Sequence, residues 1–102
     1  MDYDRIDLIN ALYKKGGFKE VLMYTEDSLE YGAVVEKQTG LYMITTAGWS
    51  EDELLLDALM ALPSLFKRHY RGYIVGGAYY FVENVGDDVE IILKQENFKK
   101  TE

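Results

Sequence analysis

The chain has no cysteine, one histidine, one proline and no long apolar run, and each scarcity removes a class of protein. Without cysteine there can be no disulfide, no thiolate nucleophile and no sulfur-ligated zinc site. No stretch approaches the roughly 18 apolar residues of a membrane span, and the first residues lack the basic and apolar regions of a signal peptide. By default we expect a cytoplasmic protein whose fold depends on its hydrophobic core.

Basic residues are also in the minority. The 11 lysines and arginines stand against 18 aspartates and glutamates, which gives a net charge of −7. Nucleic acid and anionic lipid repel such a chain, so we expect neither nucleic acid nor membrane as a direct partner. The same charge steers the chain toward a basic surface on another protein, although acidity also keeps a protein soluble.

Apolar residues, in contrast, are plentiful. Hydrophobic residues make up 48% of the 102 positions and aromatic residues 14%, which is enough to offset the conformational entropy lost on folding. A chain of this length forms one domain, which buries roughly 60–65% of its unfolded surface. We predict a single α+β domain over residues 1–102, with residues 95–102 as a frayed tail.

The hydrophobic spacing predicts the element order α-β-β-β-α-β-β, with an antiparallel sheet packed against two helices. The first helix covers residues 2–15. The second begins at Ser50, whose hydroxyl and the carboxylate of Glu53 form a capping box, and Pro63 kinks or restarts it. The predicted strands are residues 18–25, 29–37 and 41–46, then the aromatic run 70–85, then 89–94.

This element order contains two predicted hairpins, one formed by the first two strands and one formed by the last two. Between the second and third strands, residues 38–40 predict a further turn. Gly76 and Gly77 interrupt the aromatic run, which indicates a bulge or a point where two backbones approach closely.

Candidate catalytic groups are few, and each has a structural explanation. His69 stands among basic neighbours, which suit neither a metal site nor a carboxylate-oriented triad. Four acids cluster at the start of the second predicted helix: Glu51, Asp52, Glu53 and Asp57. A helix start favours solvated carboxylates, so a divalent-metal site is not needed to explain them. We expect no catalytic residue, no metal and no cofactor.

The aromatic residues give a better indication of function. Nine tyrosines, four phenylalanines and one tryptophan exceed what a core of this size needs, so some should be exposed and available for binding. Trp49 either packs the turn before the helix onto the core or projects as an anchor, and the packed position is favoured. The residues predicted to contact a partner are Trp49, Glu51, Asp52, Asp57, Arg71 and Tyr73.

A sequence pattern within residues 42–81 resembles a group of small phage-encoded proteins whose function is not characterised. The pattern comprises Tyr42-Met43-Ile44-Thr45-Thr46-Ala47-Gly48-Trp49-Ser50, Glu53, Ala58-Leu59, Arg71-Gly72, Gly76-Gly77, Tyr79 and Phe81. In that group a Thr-Gly-Gly-Trp-Ser stretch opens an acidic helix and an Arg-Gly-Gly-aromatic strand follows. Here Ala47 replaces the first glycine, and four residues separate Arg71 from the glycine pair.

The resemblance implies a phage setting, in which small acidic proteins often block host enzymes or defence systems. The leading hypothesis is therefore a non-enzymatic inhibitor that docks on a basic host protein, and a DNA mimic would be one form of it. A related alternative is an immunity protein or antitoxin that neutralises a basic toxin. Homodimerisation through a strand edge or aromatic patch also stays open.

A hypothesis from a different class is a small enzyme or a ligand-binding protein. Its pocket would form where the loop 45–49 meets Arg71 and the pair Gly76-Gly77. Arg71 would then hold an anion, and Trp49 would provide an apolar wall.

Overall fold

The computed structural model describes residues 3–74, 76–84 and 99–100. Its helices are α1 (Tyr3–Gly16), α2 (Phe18–Ser28), α3 (Ser50–Met60) and α4 (Pro63–Arg68). Its strands are β1 (Val34–Gln38), β2 (Leu41–Thr45), β3 (Tyr70–Ile74), β4 (Ala78–Val82) and β5 (Lys99–Lys100). The strands form one antiparallel sheet in the order β1-β2-β4-β3-β5, which confirms the α+β class.

One apolar cluster joins the four helices to one face of the sheet. The helices contribute Ile9, Phe18, Val21, Leu22, Leu56, Ala58, Leu59 and Leu65, the link between α3 and α4 contributes Leu62, and the sheet contributes Ile44, Tyr70 and Phe81. Full burial of a large apolar side chain stabilises the fold by roughly 1.5–3 kcal/mol, so this cluster is the main source of stability. The chain thus builds its core without disulfides.

The other face of the sheet carries a second, smaller cluster. It consists of Leu41, Tyr80 and Val82, with Met43 and Ile74 packed against it. Because side chains alternate along a strand, consecutive residues of β4 contribute to opposite clusters. Both faces of β4 are therefore apolar, and this explains why its sequence is aromatic and aliphatic throughout.

The prediction of a strand at residues 18–25 is wrong, because this segment is helix α2. Its buried residues are Phe18, Val21, Leu22 and Thr25. They follow the spacing i, i+3, i+4, i+7, which places them on one side of a helix. The Thr25 hydroxyl donates to the Val21 carbonyl across 2.8 Å, so even the polar member of the stripe is satisfied in the core.

Several other boundaries follow from this change. With α2 in place of a strand, β1 pairs with β2 across the predicted turn at residues 38–40, and the sheet packs against four helices instead of two. The aromatic run is two strands, β3 and β4, joined by a turn at the glycine pair. Lys99 and Lys100, placed in the predicted tail, pair with β3. The predicted strand 89–94 lies outside the described residues.

The start of α3 is at the predicted place but uses different capping chemistry. Trp49 is the N-cap residue, and no side chain caps the helix. Ser50 is the first helical residue, so the predicted capping box is wrong. Glu53 accepts a hydrogen bond from the Tyr79 hydroxyl instead. At the far end Pro63 is the first residue of α4, which confirms that the proline restarts the helix.

Candidate interaction surface

The carboxylate of Asp52 holds a loop against the start of α3. It accepts hydrogen bonds from the backbone amides of Glu30 (2.9 Å), Tyr31 (3.0 Å) and Gly32 (2.8 Å). Burial by itself raises the pKa of this carboxyl, but the three amide donors outweigh burial, and the net pKa is lowered. Asp52 is 1% exposed, so the prediction that it faces a partner is wrong. It fixes the loop on which exposed residues stand.

This loop brings two exposed aromatic side chains together. Tyr31 is 66% exposed and Trp49 is 41% exposed, and their rings meet edge to face with centroids 4.8 Å apart. Trp49 is therefore closer to the projecting anchor than to the favoured packed position. Because the Tyr31 amide is bonded to Asp52, the pair is held in place before any partner arrives.

Helix α3 begins directly after Trp49, and its outer side carries further exposed residues. Glu51, Leu54 and Asp57 are exposed and follow one another at intervals of three residues, which places them along one side of the helix. Leu54 is 54% exposed, between the two acids. We call the five residues Tyr31, Trp49, Glu51, Leu54 and Asp57 the acidic–aromatic surface. It combines rigid rings, an apolar contact and negative charge.

A tyrosine pair borders this surface on the sheet side. The Tyr79 hydroxyl lies 3.1 and 3.0 Å from the two carboxylate oxygens of Glu53. Burial raises the pKa of Tyr79, and its hydrogen bond to Glu53 and the negative charges of Glu53 and Asp57 raise it further. Tyr73 stands opposite Tyr79 in the β3–β4 pair and is partly exposed. Tyr73 thus lies beside the tyrosine that bonds to Glu53 of α3.

Arg71 lies near the start of β3. It falls at the irregularity between Tyr70 and Gly72 in β3, and its guanidinium donates to the Tyr70 carbonyl across 3.0 Å. This is the end of the β3–β4 hairpin away from the turn. The expected junction of Arg71 with Gly76 and Gly77 is therefore not formed.

The loop 45–49 and the glycine pair are in direct backbone contact, with no pocket between them at Gly77. The Thr46 amide donates to the Gly77 carbonyl across 2.8 Å, and a Cβ atom at Gly77 would overlap the Thr46 side chain. The expectation that Gly77 marks a close approach of two backbones is confirmed. Since backbone fills this junction, the pocket expected there has no room beside Gly77.

His69 is buried in the core. One ring nitrogen is hydrogen-bonded to the Tyr13 hydroxyl and the other to the Val82 carbonyl. Burial lowers the pKa of the ring, and the charges of Arg71 and Arg68 lower it further, whereas the Val82 carbonyl opposes them. With both nitrogens occupied by structural partners, the ring has no free position for a substrate.

Two further findings concern metals and membranes. Across residues 3–74 and 76–84, no three histidine, aspartate or glutamate side chains are grouped so that they could hold a metal ion. Among the helices of the described residues, none is long and apolar enough to cross a membrane.

Sequence reasoning missed two members of the acidic–aromatic surface, Tyr31 and Leu54. Tyr31 precedes Gly32 in a segment predicted as a strand, so its position in a loop was hidden. Leu54 carried a usable signal, because the helical spacing of Leu55, Ala58 and Leu59 defines an inner stripe that leaves Leu54 outside it.

The chain was also compared with known proteins. No protein-family model matches it. Neither curated proteins nor solved structures gave a significant match.

Proposed function

We propose that this chain is a non-enzymatic interaction protein that binds a basic surface of a partner protein through its acidic–aromatic surface. The observation that supports this most is the Asp52 clamp. A buried carboxylate with three backbone donors holds Tyr31 against Trp49, and both rings remain open to solvent. Tryptophan and tyrosine dominate binding energy at protein interfaces, and a preformed arrangement lowers the entropy cost of association.

Charge defines the kind of partner. Glu51 and Asp57 flank the exposed Leu54, and the chain as a whole carries −7. Complementary charge raises the association rate and disfavours acidic partners. The proposed partner is therefore a protein with a basic patch and an apolar contact at its centre. Direct contact with nucleic acid is not part of the proposal.

The resemblance to phage-encoded proteins adds a setting to this proposal. In a phage-infected bacterium the chain would act in the host cytoplasm, where it would occupy the basic surface of a host enzyme or defence protein. An immunity protein that covers a basic toxin would use the same chemistry. The identity of the captured partner distinguishes these two roles.

Affinity capture from a bacterial lysate at low salt tests the proposal. The immobilised chain is eluted with increasing salt, and the released proteins are identified by mass spectrometry. We expect a basic protein that is released by modest salt, because exposed charge pairs are screened. Trp49→Ala and Tyr31→Ala should each weaken its binding by about 30-fold, as expected for a central aromatic contact.

A pair of charge variants provides the matched control. Glu51→Lys/Asp57→Lys should abolish capture, whereas Asp4→Lys/Asp7→Lys, on exposed positions of α1, should leave it intact. Each reversal adds two charges, so both double variants carry −3 in place of −7. Equal loss of capture in both variants would show that net charge alone is responsible and would refute this surface. Asp52 is left unchanged because its carboxylate is structural.

A further inference from the structure

Among the described strands, β1 forms one edge of the sheet. In the strand order β1-β2-β4-β3-β5 it is bonded to β2 on one side, and β5 lies at the opposite edge. After the half-buried Val34, the remaining residues of β1 are exposed. An exposed edge strand offers backbone donors and acceptors to another strand.

The hydrogen-bond pattern shows which residues of β1 point outward. Ala33 and Thr45 exchange both backbone bonds, at 3.2 and 2.8 Å. Such pairs recur at every second residue of an antiparallel ladder, so Val35 and Met43 form the next one. The amides and carbonyls of Val34 and Glu36 are therefore directed away from β2, toward the open edge.

A groove runs between this edge and helix α2. Its volume is about 270 Å³, and it is lined by Lys19, Leu22, Met23, Glu26, Asp27, Val34 and Tyr42. Val34 and Tyr42 form its floor on the sheet side. Met23 is 62% exposed on the helix side, where an incoming side chain can pack against it. The groove thus places apolar side chains beside a row of outward-facing backbone groups.

The charged groups around the groove are mainly acidic. Glu26 and Asp27 line it from α2, with Lys19 as the one basic residue among its lining residues. Glu36 stands opposite Tyr42 in the β1–β2 pair, and the Tyr42 hydroxyl donates to Glu83 across 3.2 Å. A basic side chain in this groove would therefore find carboxylates on both the helix side and the sheet side.

We propose that this groove binds an extended, basic segment of a partner protein, which adds to β1 as an antiparallel strand. Paired residues of neighbouring strands share a face of the sheet, so the peptide residues that bond to Glu36 and Val34 point into the groove. In an antiparallel strand the residue opposite Glu36 comes first. The recognised segment therefore carries lysine or arginine followed, two positions later, by an apolar residue.

A second copy of the chain is the competing occupant of the edge. Pairing of two β1 strands would bring together two chains that each carry −7. Such chains repel each other, whereas a basic peptide is attracted. Charge thus favours the peptide, and the oligomeric state of the free chain decides between the two.

The first test uses a fluorescein-labelled peptide, Thr-Thr-Lys-Thr-Val-Thr-Thr, with fluorescence anisotropy as the readout. We expect saturable binding that weakens at least fivefold when glutamate replaces lysine. N-methylation of the lysine and valine amides, which face β1, should weaken binding about tenfold, since two backbone bonds are lost. N-methylation of the threonine between lysine and valine and of the threonine that follows valine should preserve binding, because these two amides face away from β1. Equal loss from both methylated peptides, or no binding at millimolar peptide, would overturn the proposal.

Variants of the chain test the same geometry from the other side. Glu36→Pro removes an amide that faces the open edge and leaves the bonds to β2 intact, so it should abolish peptide binding, whereas Glu36→Gln should weaken it about threefold to fivefold. Met23→Lys should weaken binding and Met23→Glu should strengthen it. Because Met23 is exposed, this pair remains informative if Glu36→Pro fails to fold. Equal peptide affinity of the two Met23 variants would contradict the proposal that the peptide lies in this groove.

Two controls separate this proposal from its alternatives. Trp49 lies on the acidic–aromatic surface, so the Trp49→Ala variant should bind the peptide with unchanged affinity. The proposed function and the β1 proposal can therefore fail independently. Analytical ultracentrifugation of the free chain should show a monomer. If the free chain is a dimer and Glu36→Pro dissociates it, a second copy occupies the β1 edge. This result would refute the proposal that a basic peptide binds there.

Discussion

The hydroxyl of Tyr13 donates to Nε2 of His69 across 2.8 Å and thereby ties α1 to the residue that precedes β3. The opposite nitrogen, Nδ1, lies 2.7 Å from the carbonyl oxygen of Val82, which can only accept. Nδ1 therefore carries the proton, and Nε2 is the acceptor for Tyr13. The neutral ring also stacks on Phe18 at a centroid distance of 4.5 Å.

This arrangement predicts how stability depends on pH. Burial lowers the pKa of His69 below its ordinary value of 6.5, so the unfolded chain binds a proton before the folded chain does. The free energy of unfolding should therefore be highest above pH 6.5 and should fall as the pH drops from 6.5 through the lower pKa of the folded state. Urea denaturation between pH 5 and 8 measures this slope.

The control for this prediction is His69→Gln, which removes the titrating group. Since the chain has one histidine, its stability should vary much less between pH 5.5 and 7 than that of the parent. An unchanged slope in this variant would assign the effect to other groups.

Asp52→Ala should be one of the most destabilising substitutions on α3. It leaves three backbone amides without their acceptor, and we expect a loss of about 3 kcal/mol or more in the free energy of unfolding. Asp52→Asn keeps one acceptor oxygen and should lose about half as much. Thermal and urea denaturation measure both values, with exposed Asp57→Ala as a control that should change stability by less than about 0.5 kcal/mol.

The Asp52 variants should also disturb Trp49 without touching it. If the clamp holds Tyr31 against Trp49, release of the loop will alter the emission maximum and the quenching of Trp49 by acrylamide. A spectrum identical to that of the parent, in a variant that remains folded, would show that the aromatic pair does not depend on the clamp.

Ala47→Gly should stabilise the protein. Among the described residues, Ala47 is the one non-glycine residue with a positive φ, at 54°. An L side chain in the left-handed region costs roughly 1–2 kcal/mol, and the greater entropy of unfolded glycine offsets part of the gain. We expect a net increase of about 0.5 kcal/mol, measured by urea denaturation. Gly48→Ala, at φ 73°, should have the opposite effect.

Tyr42 should ionise only under strongly alkaline conditions. Burial and the negative charges of Glu36 and Glu83 raise its pKa to about 12. In a titration followed at 295 nm, Tyr42→Phe should therefore lose absorbance near pH 12 and not near pH 10. Since the unfolded chain releases this proton first, the contribution of Tyr42 to stability should decline as the pH rises above 10. A loss centred near pH 10 would mean that the hydroxyl is solvated.

Parts of the fold are predictable from sequence because local signals agree. α1 combines a helical stripe, Ile6, Ile9 and Tyr13, with basic residues at its end, and it falls within one residue of the predicted range. Residues 18–25 gave conflicting signals, since valine, tyrosine and threonine favour strands. The helical spacing of Phe18, Val21, Leu22 and Thr25 was equally visible, and burial against the sheet decided in its favour.

The candidate surface was predictable in part for a similar reason. Trp49 and Glu51 follow from residue type and from their place at a helix start. The role of Asp52 does not, because its partners Glu30, Tyr31 and Gly32 precede it by 20 to 22 residues and no local pattern connects them. The exposure of Tyr31 depends on that contact and was hidden for the same reason.

The two edges of the sheet differ in a way that limits assembly. Within the described residues β5 is two residues long, and a short edge strand offers few backbone groups for the addition of a further strand. β1 is longer and open. Self-association through β1 would be isologous, because each copy would cover the edge of the other, so it would end at a closed pair and would not continue into a filament.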